Sequence, residues 1–135
     1  MTAVVLRRSL AALACMALIF WLSAIPSLNT GLGGWDTVLR KLGHVAEYGV
    51  LTVLWFRALS PVAAQPQVLA AAIAFAYAVS DEYHQSFVAG RHASPIDVGI
   101  DLIGIALAII AITREAPLTS VLHRGVEQSG GSPGS

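Results

Sequence analysis

The stretch SLAALACMALIFWLSAIPSL, residues 9–28, decides how the rest of the chain is read. Its 20 residues carry no charge, and as a helix they would run about 30 Å, the thickness of a bilayer's hydrocarbon core. The charge-free run extends further, from Ser9 to Trp35. Arg7 and Arg8 before it resemble the n-region of a signal peptide, but the apolar stretch is long and three more hydrophobic segments follow. It therefore reads as a retained membrane anchor. Composition agrees: of 135 residues 56% are hydrophobic and 12% charged, with a mean hydropathy of +0.69, where soluble domains average roughly a quarter charged. The 8 basic and 8 acidic residues balance, which leaves no excess of positive charge for a nucleic-acid partner. Cys15 is the single cysteine, so neither an intrachain disulfide nor a cysteine metal site can form.

Three further segments follow outward from the first. Residues 42–59 are preceded by Arg40 and Lys41 and closed by Arg57 and a Ser60-Pro61 turn. Residues 67–87 are apolar over QVLAAAIAFAYAV and polar over SDEYHQSF. Residues 94–113 carry Pro95 in their first turn, where a missing N–H costs nothing. The expectation is an all-α polytopic membrane protein, a bundle of four transmembrane helices. Residues 1–8 would form a cytoplasmic N-terminal segment, residues 9–113 the membrane domain, and residues 114–135 a polar, disordered tail ending in SGGSPGS. With four spans both termini share a side, which holds Arg7, Arg8, Arg57, Arg114 and Arg124 against Arg40, Lys41 and Arg91 on the other. The positive-inside rule makes the termini cytoplasmic. Gly99 and Gly104 are the small residues of the fourth segment expected to permit close helix packing.

On this topology the polar ends of spans two, three and four fall in one leaflet. Measured from the expected helix ends, Glu47 lies roughly 7 to 8 Å deep, Asp81 roughly 9 Å and Asp101 roughly 10 Å. Ionisable groups at such depth are costly and should face inward and be paired. Lys41, His44, Glu47 and Tyr48 occupy neighbouring positions on one helical face. Asp81 with Gln85, and Asp97 with Asp101, are i,i+4 pairs, while Glu82 points about 100° away from Asp81. Asp81 and Glu82 sit at the carboxyl end of their helix, the unfavourable end of its dipole. They need a cation or a proton, and Arg91 in the GRHASP connection is the nearest cation by sequence, Lys41 the next.

Taken together, Lys41-x-x-His44-x-x-Glu47-Tyr48, Asp81-Glu82-x-x-Gln85-x-Phe87 and Gly90-Arg91-x-x-Ser94-x-x-Asp97-x-x-x-Asp101-x-x-Gly104 resemble the VanZ-like family of small bacterial membrane proteins. Many members carry asparagine where this chain has Asp101. The resemblance covers roughly residues 9–112. It implies a multi-pass protein of the bacterial cytoplasmic (inner) membrane, linked through the family's founding member to teicoplanin resistance without the enzymes that remodel the peptidoglycan stem.

The function expected is recognition of a lipid headgroup or lipid-linked cell-wall precursor in an outer-leaflet pocket. Its ligand-binding residues would be Lys41, His44, Glu47, Tyr48, Asp81, Glu82, Gln85, Arg91, Asp97 and Asp101. Arg91 would meet phosphate with its forked donors and Lys41 as a point charge. Partners are thus membrane lipids or an envelope precursor, with no nucleic acid. One alternative is an enzyme acting on an envelope lipid, with a general acid or base among Glu47, Asp81 and Glu82 and His44 as shuttle. Others are a structural polar network and a small proton-coupled transporter. A metal set of His44, Glu47 and Asp81 with His84 or His92 lacks any paired metal-ligand spacing, so no metal and no cofactor is expected.

Overall fold

A computed structural model describes residues 3–26, 31 and 33–129, with side chains through residue 115. Four helices make up the described chain: α1 (Ala3–Ser23), α2 (Gly34–Leu59), α3 (Pro66–Gln85) and α4 (Pro95–Ser129). No strand occurs among the described residues. α2 is the central element and packs against all three others, while α3 also touches α1 and α4. The helix starts follow local chemistry. Pro66 and Pro95 each open a helix, where proline's fixed φ fits and its absent N–H is not missed. Ser94 caps α4, its Oγ accepting the Ile96 N–H at 3.2 Å.

The boundaries differ from the sequence expectation in three places. α1 begins at Ala3, so Arg7 and Arg8 are helical, and it ends at Ser23 before Pro26; the expected end at residue 28 lies outside the described residues. α2 starts at Gly34 instead of residue 42. That puts Glu47 about 20 Å from the first helical residue instead of 7 to 8 Å. α4 continues past residue 113 to Ser129, with Pro117 inside it, so the segment expected to be a disordered tail is helical that far; Arg114 and Glu115 before the proline are good helix formers. Residues 130–135 lie outside the described residues.

Apolar and polar side chains share the interior, and large apolar side chains also cover the exterior. The core consists of Ile19, Tyr48, Leu51, Ala74, Ala78 and Ile105, with Trp55 and Tyr77 packed against it. Buried beside it are Ser23, Thr52, Asp81, Glu82, Gln85 and Asp101. Large apolar side chains on the outside include Leu10, Phe20, Trp21, Leu42, Val50, Val68, Phe75 and Ile103. Only Ala12, Ile19 and Ser23 of α1 are buried. Helices contact one another through small residues: Ala70, Ala74 and Ala78 form an i,i+4 stripe along α3 that continues into Asp81, Glu82 and Gln85. Where α2 crosses α4, a Cβ on Gly104 would overlap the Val45 carbonyl, whereas one on Gly99 would meet nothing within 4 Å. Gly104 is therefore the close-packing glycine and Gly99 is not.

By length and composition α1 (Ala3–Ser23) and the Pro95–Glu115 part of α4 can each cross a membrane. α2 and α3 fall short of that measure because charged and polar groups gather toward one end of each.

Candidate functional site

The carboxyl ends of α1 and α3 meet the amino-terminal halves of α2 and α4, and the polar residues of all four converge there. Ser23 Oγ, at the end of α1, donates to Asp81 Oδ1 at 2.5 Å. Asp81 Oδ2 accepts from Gln85 Nε2 at 2.9 Å, one turn along α3. Gln85 Oε1 accepts from Arg91 Nη1 at 3.1 Å. This chain of bonds ties α1, α3 and the connection between α3 and α4 into one unit. A separate bond, His44 Nδ1 to Asp101 Oδ1 at 2.9 Å, joins α2 to α4, with the side chains only 14% and 2% exposed. An ionised Asp101 fixes the tautomer with the proton on Nδ1 and leaves Nε2 open.

The carboxylates at the wrong end of the α3 dipole are thus satisfied differently than the sequence suggests. Neither forms an ion pair with Arg91 or Lys41 among the described residues. Asp81 reaches Arg91 only through the Gln85 amide. Glu82 turns to the α4 side, where its Oε1 accepts the Ser94 backbone N–H and its Oε2 is buried with no partner. The Tyr48 hydroxyl is likewise buried and unpartnered, its ring 6.4 Å from that of Tyr77.

Above this layer lies a cleft of about 320 Å³, bordered by Arg40, Lys41, His44, Gln85, Arg91 and Asp97 among others. A smaller cavity of about 170 Å³ shares Arg40, His44 and Arg91 with it and adds Ser23 and Glu47. Three fixed cations and one carboxylate line the larger cleft. Burial pushes the Arg91 guanidinium below its ordinary range, and Arg40 adds to that; the Asp81, Glu47 and Glu82 carboxylates act in the opposite sense. Its Nε is buried without a partner.

All ten residues singled out in the sequence lie at this end of the molecule. Lys41, His44, Gln85, Arg91 and Asp97 border the larger cleft and Glu47 the smaller one. Asp81 and Asp101 are buried and bonded to groups that border the cavities, Tyr48 is in the core, and Glu82 faces the other way. Sequence reasoning missed Ser23, and it took Arg40 as a boundary charge only. Arg40 borders both cavities, and its position beside Lys41 was the available signal. Ser23 had none, since an isolated serine in an apolar helix is commonplace. His84 stacks on Phe20 with ring centroids 4.2 Å apart, away from His44. No group of three or more His, Cys, Asp or Glu is placed to hold a metal ion among the described residues.

The sequence profile of the VanZ/LLP1 family matches residues 6–116, which takes in α2 and α3 whole, most of α1, the first part of α4 and every residue of the site. The chain belongs to the VanZ/LLP1 family. No curated protein and no solved structure matches it. Within this VanZ/LLP1 protein, Lys41, His44, Gln85, Gly90, Arg91 and Asp97 of the motif residues border the larger cleft.

Proposed function

We propose that this is a four-span protein of the bacterial inner membrane, with both termini cytoplasmic, whose cleft binds the phosphate-bearing headgroup of a lipid or lipid-linked cell-wall precursor from the outer leaflet. The observation that carries this reading is the gathering of Arg40, Lys41 and Arg91 around one cleft with Asp97 as its sole bordering carboxylate among the described residues. Arginine's fork matches phosphate oxygens and lysine adds a point charge. The cleft's volume of about 320 Å³ suits a headgroup, since small-molecule sites span roughly 300–1,000 Å³.

Membrane spans for α2 and α3 are supported by their outward apolar faces, Leu39, Leu42 and Val50 on one and Val68, Phe75 and Val79 on the other. Such a surface around a polar interior suits lipid as the solvent. Arg8 Nη1 donates to the Arg57 carbonyl at 3.0 Å, so the basic start of α1 and the basic end of α2 lie together, opposite the cleft. Five basic residues on that side against three on the other favour it as cytoplasmic. The family's link to teicoplanin makes glycopeptide susceptibility the phenotype to measure in cells.

Thermal unfolding in a mild detergent tests the binding. Phosphatidic acid should raise the melting temperature of the wild type by several degrees, because a ligand at 100 times its Kd stabilises by about 2.7 kcal/mol. Diacylglycerol, which lacks the phosphate, should not. The Arg40→Ala/Arg91→Ala double variant should lose the shift. Equal shifts with both lipids, or a shift retained in the double variant, would overturn the reading.

A further inference from the structure

The bond between His44 and Asp101 is more than helix packing requires. Serine, threonine or asparagine can join helices in lipid at little cost, whereas a carboxyl inside a membrane helix is expensive. Asp101 is nonetheless 1% exposed, and its side-chain bond among the described residues goes to orienting an imidazole. That imidazole borders both cavities, and so do Arg40 and Arg91. Its Nε2 has no hydrogen-bond partner among the described residues. One turn along α2, Glu47 borders the smaller cavity, half-buried, and no hydrogen bond from the described residues engages its carboxylate. Of the other acids, Asp81 is engaged by Ser23 and Gln85, Asp101 by His44 and Glu82 by Ser94, while Asp97 borders the larger cleft.

We infer that the cleft hydrolyses a phosphate ester or anhydride carried by a lipid, with His44 as the proton acceptor and Asp101 as its positioning residue. This rests on the lipid-phosphate reading above and adds chemistry to it. Arg40, Lys41 and Arg91 hold the phosphoryl oxygens, which is where charge builds up in the transition state. Glu47 accepts a hydrogen bond from the attacking water and aims it. Nε2 of His44 removes that water's proton while the water oxygen forms its bond to phosphorus and the bond from phosphorus to the leaving oxygen breaks. The leaving oxygen keeps the electron pair of that bond, is neutralised by a guanidinium, and takes a proton from solvent. The imidazolium returns its proton to solvent. One water is consumed, giving inorganic phosphate and either a lipid alcohol from an ester or a lipid monophosphate from an anhydride. The buried carboxylate, the oriented imidazole and the open nitrogen follow the logic by which a third group positions a general base.

The test measures inorganic phosphate released by purified protein in detergent from phosphatidic acid and from a polyprenyl diphosphate, with inorganic diphosphate as the water-soluble arm. Lipid binding is followed in parallel by native mass spectrometry. Wild type should release phosphate from at least one lipid and not from inorganic diphosphate alone. His44→Ala should lose about 100-fold or more in rate yet keep its lipid adduct, and added imidazole should restore part of the rate. His44→Gln, which keeps a donor for Asp101, replaces the alanine variant if that one does not accumulate, and should be equally slow. Asp101→Asn should lower kcat about 10-fold or more with KM within about threefold, as expected of a group that orients the base. A lipid adduct on wild type with no phosphate release, or release that His44 variants leave intact, overturns the inference and leaves the binding reading standing. Absence of any adduct overturns both. Release from inorganic diphosphate only overturns the lipid assignment.

Discussion

Asp81 is bonded from two helices and stands at the centre of the polar layer, accepting from Ser23 on α1 and from Gln85 on its own helix. Removing the α1 partner by Ser23→Ala should destabilise the protein by about 0.6 to 2 kcal/mol, the range for hydrogen bonds between membrane helices. Asp81→Ala should cost about 1 to 3 kcal/mol, since it leaves Gln85 Nε2 without its acceptor in a buried place and Ser23 with only the Phe20 carbonyl of its own helix. Unfolding titrations with a denaturing detergent check both; a Ser23→Ala protein as stable as wild type would mean that α1 is held by apolar packing and its other bonds, from the Tyr77 hydroxyl to the Met16 carbonyl and from Arg8 to the Arg57 carbonyl. At this scale the sequence was informative wherever i,i+4 spacing fixes neighbours, as for Asp81 with Gln85. It was silent on partners contributed from other helices. The His44 and Asp101 contact spans 57 positions, and nothing in either helix alone shows which residue the other will meet. For the same reason Arg91 was expected on Asp81 directly and is found one amide away.

Helix α4 meets α2 backbone to backbone, and the glycines decide how closely. A Cβ at Gly104 would overlap the Val45 carbonyl, and one at Gly49 would lie 3.3 Å from the Gly104 oxygen. Gly104→Ala should therefore push the helices apart and cost about 1 to 3 kcal/mol, and it should also separate His44 from Asp101, one turn away along the same crossing. Gly99→Ala should leave stability within about 0.5 kcal/mol, because its site is open. The same unfolding titrations distinguish the two, and equal costs would contradict the described crossing. The number and order of helices were legible because each hydrophobic segment is bounded by charges or prolines. Their ends were less so. Charges at Arg40 and Lys41 mark where a segment turns polar, not where backbone hydrogen bonding stops, and α2 starts at Gly34. Nor does the polarity of residues beyond Arg114 end α4.

At the level of the whole molecule, an apolar exterior encloses a polar layer at one end, and the basic residues divide between that end and the opposite one. In a Cys15→Ala background, His92→Cys at the cleft should be labelled by a membrane-impermeant maleimide added outside intact cells, while Ser60→Cys, in the turn after α2, should react only after lysis. The reverse pattern would invert the orientation and turn the cleft toward the cytoplasm. Composition and the first apolar stretch already pointed to the membrane. Lys41 and Arg91 were legible as the cations of one pocket, whereas Arg40 was not, because which side chains meet there depends on how a helix and a connection about 50 residues apart are drawn together. That cleft is the core of the account, and native mass spectrometry of the protein released from a mild detergent tests it most directly. Wild type should carry a discrete adduct with the mass of a phosphate-bearing lipid, and the Arg40→Ala/Arg91→Ala variant, equally folded, should carry none. The same adduct on the variant, or a bare wild type in the presence of added phosphatidic acid, would contradict it.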